Sequence, residues 1–253
     1  MTDKSASASH SRLDVLLVEK GLSPSRNHSQ ALIGAGKVRV QGRMVDKAGA
    51  RFPREICVEV VTPPHPYVSR GGVKLEHALD HFSIQVEGRA CLDVGASTGG
   101  FTDCLLRRGA STVHAVDVGY GQLAWRLRQD PRVQLHERTN VRQMPAGTLP
   151  AHISFVTVDT SFISLKLVIP AILSHIPGPC GILPLVKPQF EVGKGKVGKG
   201  GVVRDPALHQ QTLSDLESFF SQTLGLDVKG VTQSPIPGAK GNTEFFFYLE
   251  RSD

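Results

Sequence analysis

A glycine-rich turn followed by a spaced acidic residue predicts a binding site for a nucleoside. Residues 92–101 read Leu-Asp-Val-Gly-Ala-Ser-Thr-Gly-Gly-Phe, which is typical of a strand, a tight turn and the start of a helix. The glycines at 95 and 99 carry no Cβ, so the backbone of the turn can approach a ligand closely. Asp117 ends the next predicted strand, where a carboxylate can accept both ribose hydroxyls, and Asn140 is expected beside the base. The residues predicted to bind this cofactor are Asp93, Gly95, Ser97, Gly99, Gly100, Phe101, Asp117, Val118, Asn140 and Asp159.

The same turn matches two other motifs, and the context disfavours both. Gly95-x-Ser97-x-Gly99 fits the nucleophile elbow of hydrolases, but only one predicted helix of this domain precedes it, where the elbow follows several strands. No clear aspartate and later histidine complete a triad. A dinucleotide-binding loop needs GxGxxG, and Ser97 occupies its second glycine position beside the pyrophosphate. Because S-adenosylmethionine has no pyrophosphate, this departure favours S-adenosylmethionine as the cofactor.

Four charged residues are predicted to meet at one edge of a sheet. Asp159 and Lys187 each end a predicted buried strand, and Glu244 begins the last one. Lys74 lies in the first turn of a predicted helix, where a cation opposes the helix dipole and does not stabilise the helix. If the last strand runs antiparallel to the others, all four side chains face one cleft. One such charge usually marks where a buried strand reaches the surface, but two of each sign at one edge indicate a site.

Apolar runs that alternate with amphipathic stretches predict a doubly wound α/β sheet. Leu75, Ala78, Leu79 and Phe82 have the spacing of a helix before the first strand. The expected fold class is therefore α/β, a Rossmann-like domain with a largely parallel sheet and an antiparallel last strand, preceded by a small α+β domain. The buried strands are predicted over 90–94, 112–118, 153–158 and 181–186, and the last strand over 244–249.

Positive charge is concentrated in a short N-terminal segment. Residues 12–55 hold nine Lys and Arg against four Asp and Glu, so they carry +5 of the formal net charge of +6. Two short helices and strands at 38–40 and 56–61 are predicted there. A compact basic module fits a polyanionic partner, although a solvated basic face has the same composition. The predicted RNA contacts are Arg12, Arg26, Lys37, Arg39, Arg43 and Arg70, with Lys194, Lys196 and Lys199 in a later loop.

This later loop, residues 193–201, nearly matches a phosphate-binding loop for nucleotides. Gly193, Gly198 and Lys199 have the required spacing, but Gly200 stands where a Ser or Thr must bind Mg²⁺. We therefore reject a nucleoside triphosphate site and predict a mobile loop that closes on RNA phosphates. The alternative is an ordinary flexible surface loop.

Composition indicates the domain boundaries and excludes other classes of protein. We predict a disordered tail over 1–10, an RNA-binding domain over 11–61, a proline-rich linker over 62–68 and a catalytic domain over 69–253. No apolar run approaches the roughly 18 residues that span a bilayer, and the N-terminus lacks the apolar stretch of a secretory signal. The four cysteines have no metal-ligand spacing, so we expect no metal and reduced core thiols in a cytoplasmic protein.

Two sets of motifs carry resemblances to known families. In the N-terminal segment the order Arg12-Leu-Asp14, Ser25-Arg26, Ala31, Ile33 and Gly36-Lys-Val-x-Val40 gives residues 12–61 a resemblance to the small RNA-binding domain first seen in ribosomal protein S-four. The later motifs are Ser69-Arg-Gly-Gly-x-Lys74-Leu, Asp93-Val-Gly-Ala-Ser-Thr-Gly-Gly-Phe-Thr102, Ala115-Val-Asp-Val-Gly-Tyr-Gly-Gln-Leu123, Asp159-x-Ser-Phe-Ile163, Leu185-Val-Lys-Pro-Gln-Phe-Glu191 and Gly241-Asn-x-Glu244. They give residues 12–249 a resemblance to the TlyA/haemolysin A family, whose catalytic domain is similar to the FtsJ type. This resemblance implies 2′-O-methylation of cytidine ribose in ribosomal RNA, by a catalytic tetrad that falls on Lys74, Asp159, Lys187 and Glu244.

Several alternatives stay open at the level of sequence. In the implied reaction Lys187 faces the substrate oxygen, either as a neutral general base or as a charged group that orients the hydroxyl. An RNA-binding protein with an inactive methyltransferase domain is the main rival, and it would tolerate loss of Asp117, Lys187 or Glu244, all of which are present. A cytolysin is disfavoured because it would need a membrane-active segment. A pseudouridine synthase can carry the same N-terminal module, but it is disfavoured because it would not need the glycine turn.

Overall fold

The computed structural model of the chain describes residues 10–34, 36–61, 65–193, 195–198 and 200–252. The chain divides into two compact units, residues 1–66 and 67–253. Most of the predicted tail, part of the predicted linker (62–64) and the predicted RNA contacts Lys194 and Lys199 lie outside the described residues.

The first unit packs two helices against short antiparallel strands. Its elements are β1 (His10–Arg12), α1 (Leu13–Glu19), α2 (Arg26–Gly34), β2 (Val38–Val40), β3 (Arg43–Met44), β4 (Arg51–Pro53) and β5 (Val58–Val60). β2 pairs with β3 and β5, and β1 pairs with β4. The alternation in β2 buries both valines and exposes Arg39 between them, as a half-buried strand requires. The two valines pack with Leu13, Leu17 and Ile33 in a small core.

Some predictions for this unit hold and one is wrong. Gln41 and Gly42 form the predicted turn between β2 and β3, with φ of 48° and 76°, the conformation of a two-residue hairpin loop. The strand predicted over 56–61 is shorter, at Val58–Val60. His10 does not belong to a tail, because it lies in β1 opposite Pro53 and the pairing with β4 orders its backbone.

The second unit is a mixed α/β domain, as the sequence predicts. Its elements are α3 (Gly71–His81), β6 (Ala90–Val94), α4 (Gly100–Arg107), β7 (Thr112–Val116), α5 (Trp125–Arg128), β8 (Val133–His136), β9 (Phe155–Val158), α6 (Leu165–His175), β10 (Cys180–Val186), α7 (Pro206–Ser218), β11 (Asp227–Gln233) and β12 (Phe245–Arg251). The strands form one sheet in the order β11-β12-β10-β9-β6-β7-β8. β6, β9 and β10 are buried along their whole length, which explains their continuous apolar sequences.

The register of the sheet brings three of the predicted charges to one edge. β6 to β10 are parallel, whereas β12 runs antiparallel to β10, with Val186 opposite Phe245. The start of β12 therefore lies beside the ends of the parallel strands. Glu244 directly precedes β12, Lys187 follows β10 and Asp159 follows β9. The antiparallel last strand, on which the predicted cleft depended, is thus present.

The predicted linker and cysteine environments need correction at three residues. Tyr67 and Val68 were assigned to the linker, but both pack in the second unit. Tyr67 is 5% exposed and donates its hydroxyl to Glu76, and the Val68 N–H donates to Asp103 at 2.8 Å. Of the four free cysteines, only Cys57 is exposed, because it directly precedes β5, in which the next residue turns inward.

Candidate active site

The glycine turn joins β6 to α4, and its glycines are required by packing inside the domain. Gly95 and Gly99 have φ of 89° and 95°, which other residues rarely adopt. A Cβ on Gly95 would lie 2.5 Å from the backbone oxygen of Asp159. A Cβ on Gly99 would collide with the side chains of Leu123 and Leu127. The glycines were predicted to make room for a ligand, whereas the neighbouring elements of the domain already require them.

A cavity of about 550 Å³ lies beside the turn, and we call it the cofactor cavity. Asp117 lies in its wall, where Oδ2 accepts the Ser97 N–H at 2.8 Å and Oδ1 accepts the Gly119 N–H at 2.6 Å. Each oxygen retains a second lone pair for a further donor. The apolar part of the wall is formed by Val94, Val116, Val118, Val141, Phe162, Ile163 and Val168, and polar side chains such as Gln122 and Thr139 line the remainder.

Six of the ten residues predicted to bind the cofactor line this cavity: Gly95, Ser97, Asp117, Val118, Asn140 and Asp159. The Asn140 side chain also accepts the Arg142 N–H at 3.1 Å, which fixes its orientation in the wall. Gly100 and Phe101 line a neighbouring cavity instead, and Gly99 lines neither. The turn therefore divides its residues between two cavities.

Asp93 lies beneath the turn, where it lines neither cavity. Its carboxylate is fully buried and accepts the hydroxyls of Thr102 at 2.7 Å and Thr157 at 3.1 Å. Burial raises the pKa of Asp93 to about 7, although the two threonine hydrogen bonds oppose the shift. The geometry gives Asp93 a structural role, joining the first turn of α4 to β9, in place of the predicted contact with the cofactor.

The neighbouring cavity, about 310 Å³ in volume, contains the first of two lysine–carboxylate pairs, and we call it the substrate cavity. Lys74 lines it and donates to Glu244 Oε2 at 2.5 Å. The two side chains are only 12% and 2% exposed. Gly238 makes room for this pair, since a Cβ there would collide with the Glu244 carboxylate. The unfavourable position of Lys74 in the first turn of α3 is thus offset by an ion pair.

The second pair reaches the two cavities through Asp159, since Lys187 lines neither of them. Lys187 Nζ is 2.5 Å from Asp159 Oδ1 and donates to Ser161 Oγ at 2.9 Å. Asp159 lines both cavities, together with Gly95 and Ser97. The structure therefore joins the four predicted charges in two ion pairs. Lys74 of the first pair lines the substrate cavity, and Asp159 of the second lines both cavities.

Three further residues at the site were assigned no role in the sequence analysis. Ser161 follows Asp159 by two positions, and Phe162, with φ of 64°, is 90% exposed and contacts Phe190 with 5.0 Å between ring centroids. Both residues lie in the Asp159-x-Ser-Phe-Ile163 motif, which was the signal that could have found them. Lys240, also in the left-handed region with φ of 58°, lines the substrate cavity, and no motif marks it.

The predicted RNA contacts fall into two groups. Arg12 and Arg26 hold the fully buried Asp14 at 3.0 and 3.2 Å, and the hydrogen bond from Arg12 keeps the pKa of Asp14 well below its usual range. These two arginines therefore stabilise the first unit, where the sequence analysis expected free RNA contacts. Arg39 and Arg43 are exposed on the β2–β3 hairpin.

The other predicted contacts vary in their surroundings. Lys37 is half-buried, and Lys196 is exposed beside Glu191 and Lys166. Arg70 lines the substrate cavity and donates to the backbone oxygen of Pro237 at 3.1 Å. Within the described residues, no helix has the length and apolar character needed to cross a membrane.

Comparison with known proteins agrees with this architecture. Residues 67–251 match the family described as FtsJ-like methyltransferase, and residues 11–54 match the S4 domain. A Mycobacterium tuberculosis relative (strain CDC 1551 / Oshkosh), the 16S/23S rRNA (cytidine-2'-O)-methyltransferase TlyA, is 49% identical over 96% of this chain and 90% of its own. Hemolysin A of Brachyspira hyodysenteriae is 42% identical over 94% of this chain and 99% of its own.

A solved structure has the same organisation. It is a candidate hemolysin from Streptococcus thermophilus, with a TM-score of 0.71 and 40% identity, and the match covers 98% of this chain and 90% of that one. The fold and the two cavities define a methyltransferase domain joined to an RNA-binding module. The chain belongs to the TlyA/haemolysin A family of FtsJ-like methyltransferases.

Proposed function

We propose that the protein transfers a methyl group from S-adenosylmethionine to the 2′-hydroxyl of a cytidine ribose in ribosomal RNA. The observation that carries this proposal is the pair of cavities that meet at Gly95, Ser97 and Asp159. Each lysine–carboxylate pair contributes one lining residue, Lys74 to the substrate cavity and Asp159 to both. The 49% identical Mycobacterium tuberculosis relative is a 16S/23S rRNA (cytidine-2'-O)-methyltransferase, which supports the choice of ribosomal RNA and cytidine.

The cofactor cavity fits S-adenosylmethionine in size and in chemistry. Its volume of about 550 Å³ is within the range of small-molecule sites. Asp117 can accept the ribose hydroxyls, and the valine and isoleucine side chains of the wall can cover the adenine. Thr160 Oγ1 is buried in this wall without a hydrogen-bond partner among the described residues, so a polar ligand atom would satisfy it.

The reaction requires alignment more than activation. S-adenosylmethionine supplies a methyl group on a sulfonium whose leaving group departs neutral. The protein has to hold the ribose hydroxyl in line with that methyl group and assist loss of the hydroxyl proton. Lys187 pairs with Asp159, which lines both cavities, so we assign Lys187 to the substrate oxygen. Glu244 fixes the ammonium group of Lys74 on the substrate side.

The contacts of Lys187 define where the hydroxyl binds. Its nitrogen donates to Ser161 Oγ and lies beside Asp159 Oδ1, and we propose that the substrate hydroxyl binds along a remaining direction of this nitrogen. In the charged form this direction holds an N–H that orients the hydroxyl, and in the neutral form it holds the lone pair of a general base. The two roles share one position and differ in protonation.

The first unit is proposed to bind the RNA. It matches the S4 domain, and its exposed Arg39 and Arg43 can approach phosphates without breaking an ion pair with Asp14. We assign RNA binding to residues 11–61 and propose Arg70, Lys194, Lys196 and Lys199 as further RNA contacts in the second unit. Since ribosomal RNA is the proposed substrate, we place the activity in the cytoplasm.

The function is tested with labelled S-adenosylmethionine and separate ribosomal subunits that lack the modification. We expect label in the RNA, and mapping of ribose methylation should locate it on the 2′-oxygen of a cytidine. The Lys187→Ala protein is the matched control and should bind the same subunits without labelling them. RNA that binds the wild-type protein but gains no methyl group from it would favour the rival function, an RNA-binding protein with an inactive domain.

A further inference from the structure

Glu191 connects the two loops that carry the Lys187 cluster. The first loop, residues 159–164, leaves β9 and contains Asp159 and Ser161. The second, residues 187–191, leaves the adjacent strand β10 with Lys187 at its start. The parallel pairing of β9 and β10 fixes where both loops begin. Their far ends need a separate constraint, because nothing in the sheet holds them together.

The Glu191 carboxylate supplies that constraint. Oε2 accepts the Ser164 hydroxyl at 2.5 Å and Oε1 accepts the Leu165 N–H at 2.8 Å. Both donors lie where the first loop ends and α6 begins, and the carboxylate also faces the positive end of that helix. The Ser164 hydroxyl in turn accepts the Lys166 N–H at 3.2 Å. One side chain of the second loop therefore caps the helix that follows the first.

The second loop transmits this constraint to Lys187 because it is a rigid turn. Pro188–Phe190 is a single 3₁₀ turn, in which the Phe190 N–H donates to the Lys187 oxygen at 2.9 Å. The Glu191 N–H donates to the Pro188 oxygen at 3.0 Å. The ring contact between Phe190 and Phe162 joins the same two loops. A shift of Glu191 would therefore move Lys187 relative to Asp159 and Ser161.

We propose that Glu191 is a positioning residue that clamps the two loops together and so sets the place of Lys187 beside the substrate hydroxyl. The Glu191 carboxylate accepts from Ser164 and Leu165 at the far end of the first loop, so we place its effect on Lys187 rather than on substrate. The inference rests on the proposed methyl transfer for its kinetic consequence, but the geometry of the clamp can be measured independently.

The kinetic test compares Glu191→Ala with Glu191→Gln in the full-length protein. Glutamine keeps an acceptor for Leu165 and a polar contact with Ser164, whereas alanine keeps neither. Because misplacement by about 1 Å can cost about a hundredfold in rate, we expect Glu191→Ala to lose tenfold to a hundredfold in single-turnover methyl transfer at saturating S-adenosylmethionine. Glu191→Gln should stay within about threefold of wild type, and the KM for ribosomal subunits should change less than the rate.

Asp205→Ala is the matched control for loss of a helix cap. Asp205 Oδ1 accepts the Ala207 N–H at 2.9 Å at the start of α7, a helix that packs beside the second loop, but Asp205 does not join the two loops. This variant should lower thermal stability as Glu191→Ala does, yet keep the wild-type rate. Equal losses of rate in the two alanine variants would reduce Glu191 to an ordinary cap and overturn the proposal, as would a glutamine variant as slow as the alanine one.

A structural readout separates failure of the clamp from failure of the proposed function. In a crystal structure of the Glu191→Ala protein, Lys187 Nζ should lie beyond ion-pair distance from Asp159. In solution, backbone hydrogen exchange of residues 159–166 should be faster in Glu191→Ala than in Asp205→Ala. An unchanged Lys187–Asp159 contact contradicts the clamp even if methyl transfer is lost. If the wild-type protein methylates no ribosomal RNA, the proposed function fails while this readout still decides the clamp.

Discussion

The two cavities at the active site are constructed in different ways. The cofactor cavity is formed by a tight backbone turn, apolar side chains and one carboxylate that backbone N–H groups hold in place. The substrate cavity depends on ion pairs between side chains that come from distant parts of the chain, as Lys74 and Glu244 do. Most of the cofactor cavity would therefore be lost only if its backbone changed. The substrate cavity, in contrast, can be disabled by a single side-chain substitution.

This difference predicts that binding and chemistry are separable. Residues of the cofactor side should affect affinity for S-adenosylmethionine, and residues of the two ion pairs should affect the rate once both substrates are bound. Asp159 lines both cavities. Among the four residues of the tetrad, it is therefore the one whose substitution should change both the affinity for S-adenosylmethionine and the rate of methyl transfer.

Lys187→Ala should produce the largest effect. Removal of the group that faces the substrate oxygen should slow methyl transfer by about a thousandfold, in the range for proton-handling groups, and leave the Kd for S-adenosylmethionine within about twofold. Calorimetry and single-turnover kinetics measure the two quantities. Lys187→Arg separates the two roles of the lysine, because arginine can orient a hydroxyl but can hardly accept its proton. Methyl transfer by Lys187→Ala at the wild-type rate would remove Lys187 from the mechanism.

Asp93→Asn should change how stability depends on pH. The carboxyl of the unfolded chain ionises near pH 4, and that of the folded protein at about 7. Between these pH values unfolding releases a proton, so the free energy of unfolding should fall by up to a few kcal/mol as the pH rises. Asparagine cannot ionise and should remove this loss. Urea denaturation at pH 5 and pH 8 tests it, with the exposed Asp215→Asn as control. An identical pH dependence in all three proteins would contradict the buried, shifted carboxyl.

Asp117→Ala should weaken S-adenosylmethionine binding about tenfold to a hundredfold, because one carboxylate that accepts two hydroxyls contributes a few kcal/mol. The residue also orders the turn through Ser97 and Gly119, so Asp117→Asn is the milder comparison. Calorimetry measures the affinity. If Asp117→Ala binds the cofactor as tightly as wild type, the cofactor site must lie elsewhere.

Replacement of Arg39 and Arg43 by alanine should weaken binding to ribosomal RNA about tenfold and lower the salt dependence of log Kd by about 2. Neither cavity is altered, so S-adenosylmethionine affinity should not change. Lys229→Ala, an exposed lysine on β11, is the control for general loss of charge. RNA affinity and salt dependence equal to those of the control would remove the hairpin from the RNA-binding surface.

Ser97→Ala should have the smallest effect, below about threefold in affinity or rate, since Ser97 serves Asp117 through its backbone N–H. Its hydroxyl makes only a long contact to Gln122, at 3.4 Å. Kinetics with S-adenosylmethionine measure the change. Loss of all activity in this variant, together with esterase activity in the wild-type protein, would revive the hydrolase interpretation of the turn.

The sequence predicts features that depend on local patterns better than features that depend on side-chain geometry. Buried strands such as β6 and β10 are continuous apolar runs, and Lys187 and Asp159 are recognisable because they end such runs. The pairing of Lys74 with Glu244 crosses 170 residues, so only the register of β12 defines it. Asp93 was misassigned because a carboxylate beside a glycine turn looks the same in sequence whether it faces a cavity or two threonines.

The central claim, that the two cavities separate binding from chemistry, is tested most directly by single-turnover methyl transfer across a range of S-adenosylmethionine concentrations. Asp117→Ala should approach the wild-type rate as the cofactor saturates, because its defect is in affinity. Lys187→Ala should remain about a thousandfold slow at every concentration, because its defect is in the chemical step. An Asp117→Ala rate that stays low at saturation, or a Lys187→Ala rate that recovers, would contradict the account.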